Sequence, residues 1–337
     1  MQIFSKFTVA GVTALFGAMV LAVGTADAAE KQFLSWGSSS TGTSQYVYVG
    51  MLAGLARQYL PDISFNNEAV SGTSENLDLI RRDKIALAIA SPERLYAAHH
   101  GVGKYKEKID VTTMWVMNPQ VTLMFTKKNS GIESFRDLAG KTVNIGPAGS
   151  SNEIKNSFIL ESYGYARTKP GAFEFKELKL TKLSHSEAAN ALAEGTVDAA
   201  IATQPLPDPS YAELAVRMPI QIIGVDENMF EKVRTVYPWM WVTNVPTGFY
   251  RGQEQPIKTL GDRNYIIASG KNLSEDAAYR LTKIYVEKLL PEMAKQTDYL
   301  KPYAEDPKEL VKTWVIPGHP GAVRYFKEVG LNPEVVR

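Results

Sequence analysis

The sequence predicts an α/β fold built on mostly parallel strands. Short apolar strands alternate with amphipathic helices along the chain, and polar Gly/Ser/Thr turns join strand to helix. The runs 85–90 and 197–202 are apolar throughout, as strands buried on both faces are. The 337 residues carry 37 basic and 36 acidic side chains, a formal net charge of +1. Such balance gives no general attraction to nucleic acid or to an anionic membrane surface. Cysteine is absent (0), so disulfides and thiol chemistry are excluded and stability rests on burial.

Residues 1–28 read as an export signal. Lys6 and the amine of Met1 form the basic region, 7–23 are apolar, and Ala26-Asp27-Ala28 is an A-x-A cleavage signal. The mature chain then starts at Ala29 in the periplasm. The competing reading is an uncleaved anchor, for which the stretch is slightly short and rich in Gly, Ala and Thr.

A first strand spans 33–36. The loop Gly37-Ser38-Ser39-Ser40-Thr41-Gly42-Thr43-Ser44 follows, and Met51, Leu52, Leu55, Ala56 and Tyr59 then fall at helical spacing until Leu60-Pro61. Residues 65–70 read as a second strand. Ser71-Gly72-Thr73-Ser74-Glu75-Asn76 opens the next helix, with Thr73 or Ser74 as its cap and Glu75 favourable to the helix dipole. A strand at 85–90 completes the first cycle.

The second cycle has a strand at 121–125, a short helix over 132–139 ending at Gly140, and a strand at 142–145. The loop 146–152 leads to a helix over 153–163 with Gly164 just past its end. Ser184-His185-Ser186-Glu187 is a capping-box pattern, Gly195 closes that helix, and 197–202 is again a strand. A Pro-rich turn at 205–209 and a long ordered loop over 237–259 come next. A strand at 265–268 and a helix over 276–290 capped by Ser274 complete the assignment.

The first loop is a near miss to a phosphate-binding loop. Gly37 and Gly42 have the spacing and Ser44 fits, but Thr43 stands where a lysine must reach the phosphates. Nucleotide hydrolysis is excluded on that ground. Three loops follow a strand and open a helix: 41–46, 71–76 and 146–152. In a parallel sheet these lie together at the carboxyl ends of the strands, where helix N-termini suit a carboxylate. Catalytic and zinc-binding motifs are absent from the sequence. His99-His100 reads as a solvated helix end, His185 as part of the capping box, and His319 as part of a turn that docks the last helix. Trp115, Trp239, Trp241 and Tyr237 either line a cleft or pack in the core.

Five stretches in order resemble the TAXI family of solute-binding receptors, the extracytoplasmic component of a class of TRAP transporters. They are 41–46; 68–77 (Glu-Ala-Val-Ser-Gly-Thr-Ser-Glu-Asn-Leu); 131–141 with 144–150; 186–189 with 197–200; and His319-Pro320-Gly321-Ala322 with Arg324-Tyr325-Phe326. The resemblance implies a two-lobed periplasmic-binding-protein-like fold of type II with a ligand cleft between the lobes. It makes 29–124 plus 263–337 lobe I and 125–262 lobe II, with chain crossings near 121–125 and 265–268. It implies a small carboxylate or amino-acid ligand, such as glutamate or 2-oxoglutarate, passed by a monomer to integral membrane permease subunits, with no cofactor, metal or nucleic acid. Carried over by position, Thr43, Ser44, Gln45 and Tyr46, then Thr73, Ser74 and Asn76, then Gly149, Ser150, Ser151 and Asn152 line the cleft. The chain departs from the family at Ser71-Gly72, Ser91, Met117 and Gln204-Pro205, all near the same cleft; Ser91 and Gln204 complete the candidate site. Two other functions stay open: a receptor feeding a membrane sensor, and an exported α/β hydrolase, for which no nucleophile can be named.

Overall fold

The computed structural model describes residues 31–335 apart from 40, 42, 43, 298 and 299, and for residues 44 and 118 the backbone alone. The export signal and Thr43 therefore lie outside the described residues, as does the side chain of Ser44. No described helix is long and apolar enough to cross a membrane.

The first half follows the predicted cycle: β1 (Gln32–Gly37), α1 (Ser44–Tyr59), β2 (Ile63–Glu68), α2 (Thr73–Arg81), β3 (Leu87–Ala90) and α3 (Pro92–His100). The helix over 44–59 buries Leu52 and Ala56 fully, and Pro61 follows its end as expected. β4 (Val111–Lys127) is 17 residues long, against the five assigned from sequence. Its first part, with Met114, Trp115, Val116 and Met117 all buried, shows no strand alternation, because both faces are covered.

The second half repeats the pattern with β5 (Thr142–Asn144), α4 (Ser151–Ser162), β6 (Lys179–Thr181), α5 (His185–Glu194) and β7 (Ala199–Gln204). The predicted capping box of α5 is present, and Gly195 closes the helix at φ 81°. The short helix expected over 132–139 is a single 3₁₀ turn, Phe135–Leu138. α6 (Pro209–Arg217), β8 (Ile220–Gly224) and α7 (Phe230–Val236) follow. The segment read as a long loop, 237–259, contains β9 (Trp241–Val245) and the start of β10 (Ile257–Ser269). β9 pairs antiparallel with β10, so cross-strand hydrogen bonds order residues whose Pro, Gly and aromatic content hides a strand period.

One sheet joins everything, in the order β2-β1-β3-β10-β4-β7-β5-β6. β1 is parallel to β2 and β3, and β5 is parallel to β6 and β7. β10 runs antiparallel to β3, and β4 runs antiparallel to β7. Each half thus has a 2-1-3 parallel core closed by a strand arriving from the other half, the strand order of type II. β4 and β10 are the two crossings; they pair with each other from Val111↔Ser269 to Val121↔Gly261. The crossings are far longer than the sequence assigned, and they make this a two-lobed α/β fold.

The C-terminal segment returns to the first half. α8 (Glu275–Ile284) passes through a π turn, Tyr285–Leu289, into α9 (Leu290–Ala294), so the single helix assigned over 276–290 is interrupted. α10 (Lys301–Glu305) and α11 (Pro320–Glu328) close the chain. His319 caps α11 by accepting from the Gly321 amide and is 3% exposed, as its reading as a docking turn required. A Cβ on Gly321 would meet Glu275 O at 2.1 Å, so glycine sets the approach of α11 to α8. Most of the core sits here, around Trp36, Trp115, Tyr285, Trp314 and Phe326. A smaller cluster under β7 and α6 holds Leu123, Phe125, Leu192, Tyr211 and Leu214.

Candidate functional site

The carboxyl ends of β3 and β5 face each other across the sheet, and the loops beyond them touch. Ser151 Oγ donates to Ser91 Oγ at 2.8 Å, and Arg94 Nη2 donates to the Gly149 carbonyl at 2.7 Å. Ser91 Oγ in turn donates to Glu93 Oε1 at 2.7 Å, and the Ser91 amide donates to Thr73 Oγ1 at 3.0 Å. The starts of α2, α3 and α4 thereby meet at one place. Thr73, Ser91, Gly149 and Ser151 from the sequence reading belong to this meeting point.

Thr73 is not the cap of its helix, and neither is Ser74. The N-cap is Gly72 at φ 135°, with no side-chain cap, which releases the Thr73 hydroxyl for Ser91. Ser150 does cap α4, accepting from the Glu153 amide at 3.2 Å.

Two loop amides are already taken by carboxylates of the chain itself. Glu75 Oε2 accepts from the Ser71 amide and hydroxyl, both at 2.7 Å, and these bonds hold its carboxyl below the usual range. Glu153 Oε2 accepts from the Gly149 amide at 2.6 Å, while its Oε1 pairs with Lys182 at 2.7 Å. Each acid sits in the first turn of its helix, where the dipole favours it. Among the described residues, no protein group accepts from the Ser151 and Asn152 amides at the start of α4. These remain as donors at a positive helix end.

Asn152 is held rigidly. Its Oδ1 accepts from the Thr203 amide at 2.9 Å, so its Nδ2 must face His185 Nε2, 3.0 Å away. His185 Nε2 therefore accepts, and its Nδ1–H donates to Asp208 Oδ2 at 2.7 Å. Asp208 Oδ1 caps α6 by accepting from Ser210 and Tyr211. Asn76 is fully buried, and its two N–H groups go to the carbonyls of Ser38 and Ile89. It ties the loop after β1 to β3. Asn156 does the same in the second half, donating to Ile145 O and Ile201 O. Gln45 and Tyr46 lie half-buried on α1, where the Tyr46 carbonyl accepts from Asn67.

Gln204, at the end of β7, is 6% exposed and its Nε2 has no partner. A buried ion pair joins α4 to the crossing strand β10. Lys155 Nζ contacts Asp262 Oδ2 and donates to Gln120 Oε1 at 3.2 Å, with side chains 2% and 0% exposed for the pair. Burial pushes the Asp262 carboxyl up, and the Lys155 ammonium opposes that rise. Sequence patterning missed this pair, Glu93 and Gln120, because they lie on α4, β10, α3 and β4, which only the tertiary fold brings together.

Of the aromatics, Trp115 is core, stacked on Tyr285 at 4.2 Å. Tyr237 and Trp239 bridge the halves: Trp239 lies 5.9 Å from Tyr96 of α3, and Tyr237 meets Phe158 of α4 edge-on at 5.1 Å. Trp241 lies under the Arg263 guanidinium at 4.2 Å. A separate surface pocket of about 550 Å³ lies by Phe158, Arg167 and Phe173 and contains none of the predicted residues.

Among solved structures, XAC2383 from Xanthomonas citri bound to chloride ion matches with 12% identity and a TM-score of 0.50, over 88% of this chain and 95% of that one. At that identity the likeness concerns the fold. The periplasmic aliphatic sulphonate binding protein SsuA from Escherichia coli matches at 16% identity and TM-score 0.45, over 90% of this chain and 95% of its own. The alkanesulfonate-binding protein SsuA from Xanthomonas axonopodis pv. citri bound to MOPS matches at 17% and 0.46, over 92% and 88%. A family model covers residues 36–330, nearly the whole described chain, and on that match the protein belongs to the NMT1-like family.

Proposed function

We propose that this protein is an extracytoplasmic solute-binding receptor that captures a small organic anion between its two lobes and delivers it to a membrane permease. The observation that carries the reading is the direct contact of the two lobes through Ser91–Ser151 and Arg94–Gly149, beside the free amides that open α4. A cleft closed by polar groups at strand ends binds a solute and changes shape around it. Lobe I takes 29–124 and 263–337, and lobe II takes 125–262. The donors at Ser151, Asn152 and Gln204 supply the anion subsite, with Asn152 oriented by His185 and Thr203. No covalent chemistry is assigned to the protein.

The permease is of the TRAP type, driven by an ion gradient, and the five stretches that resemble TAXI receptors support that assignment. Uptake into membrane vesicles of the source cells distinguishes it from an ATP-driven importer, since only the latter stops when ATP alone is withdrawn. The binding function is tested by titration calorimetry of the chain from residue 29 against amino acids, dicarboxylates, keto acids and sulfonates. One chemical class binding at 1:1 stoichiometry supports the reading; no heat from any class at millimolar concentration rejects it.

A further inference from the structure

Resting on that receptor reading, we infer that the ligand carries a protonated amine as well as its acid group, and that Glu93 is the residue that selects it. Glu93 Oε1 is occupied by the Ser91 hydroxyl, but Glu93 Oε2 is buried without a hydrogen-bond partner. Asn264 follows the Tyr265↔Ala90 pair in the antiparallel register of β10 and β3, which brings it beside Ser91. It is 7% exposed, and its Oδ1 also has no partner. Asp262, two residues before Asn264 in β10, is fully buried and has no partner for Oδ1. Glu93 and Asp262 are close enough for the charge of one to disfavour the charge of the other.

Glu93 Oε2, Asn264 Oδ1 and Asp262 Oδ1 are thus unsatisfied oxygen acceptors, two of them on carboxylates. Lys155 pairs with Asp262, whereas Glu93 Oε2 is left without a hydrogen-bonded cation. Arg94 does not balance it through a hydrogen bond, since Arg94 Nη2 is directed to the Gly149 carbonyl. A buried acceptor left unpaired is costly, and a buried carboxylate more so. An ammonium group brings three N–H donors and one positive charge, which is the complement of this set. On the facing side, the Ser151 and Asn152 amides and Gln204 Nε2 are donors for an acid group. The cleft therefore offers free acceptors at Glu93 and Asn264 and free donors at Ser151, Asn152 and Gln204, and suits a ligand charged at both ends.

Matched pairs that differ only in the amine test this. Glutamate and glutarate, leucine and 4-methylpentanoate, and phenylalanine and 3-phenylpropionate are titrated against the wild type and Glu93→Gln. The variant keeps the Ser91 contact and removes the charge. A charge-assisted hydrogen bond corresponds to roughly 10- to 100-fold in affinity, so in the pair that binds, the wild type prefers the amine-bearing member by that factor. Glu93→Gln loses the preference while its affinity for the amine-free member stays within about 3-fold. Equal or tighter wild-type binding of the amine-free member overturns the inference and leaves the receptor reading standing. An unchanged preference in Glu93→Gln overturns the role of Glu93. Failure of every pair, together with every class in the wider panel, rejects the receptor reading itself. The wild-type comparison is independent of how the variant folds.

Discussion

Lys155→Met tests the energetics of the crossing. Lys155 and Asp262 are both buried, and among the described residues Asp262 makes no other ion pair. Removing one member of such a pair leaves an uncompensated charge, at a cost of about 3–5 kcal/mol. With an unfolding entropy of ~2.1 cal/mol/K per residue over roughly 300 residues, ~4 kcal/mol lowers Tm by about 6 °C. The double replacement Lys155→Met with Asp262→Leu removes both charges and leaves apolar groups of similar size. Its stability returns to within about 1.5 kcal/mol of the wild type, because an apolar pair can substitute for an ion pair that bears full desolvation. Urea unfolding of the wild type, Lys155→Met, Asp262→Leu and the double variant gives both numbers, with the coupling read from the cycle. A single variant that loses less than ~1 kcal/mol, or a double variant no better than the single, refutes the placement of the pair.

Other predictions concern packing, the cleft and pH. Gly37→Ala places a Cβ 2.0 Å from Asn76 Oδ1 and 2.8 Å from Ile85 Cδ1, so urea unfolding shows a loss of about 1–3 kcal/mol by overpacking. Asn76→Ala strands the carbonyls of Ser38 and Ile89; it destabilises by about 2–4 kcal/mol in the same assay, counting each lost bond at ~1–2. Arg94→Ala removes a contact between the lobes but little core; it weakens ligand binding several-fold by calorimetry while shifting stability by less than ~1 kcal/mol. Burial lowers the pKa of both His319 and His99, so the folded state resists their protonation. As pH falls below the ordinary histidine value of 6.5 the unfolded chain takes up these protons first, and stability drops. His319→Asn keeps a cap on α11 and makes urea stability less dependent on pH between 7 and 5.

The parallel cycles of each half were legible because their strands are short and apolar and their helices start with capping residues. Ser184, Glu187 and Gly195 specify α5 locally, and Ser274 and Gly164 mark helix ends in the same way. The crossings were less legible. Residues 111–120 of β4 face protein on both sides and carry no period, while β9 and the start of β10 are ordered by pairing rather than composition. The helix-start positions of candidate residues such as Thr73 and Ser151 could be read from sequence. The partners that fix them could not, since Ser91 meets Ser151, and Lys155 meets Asp262, only through the sheet order. The TAXI resemblance identified the fold correctly, while the family match itself is to the NMT1-like group.

Closure of the two lobes around a solute is the central claim, and a cysteine bridge tests it most directly. The chain has no cysteine of its own (0), and Ser91 Oγ and Ser151 Oγ lie 2.8 Å apart. A Ser91→Cys/Ser151→Cys variant is oxidised with and without the ligand found by calorimetry. The account predicts that ligand accelerates bridge formation and that the bridged protein retains bound ligand through dialysis until it is reduced. A bridge that forms at the same rate without ligand, or bridged protein that exchanges ligand freely, contradicts it.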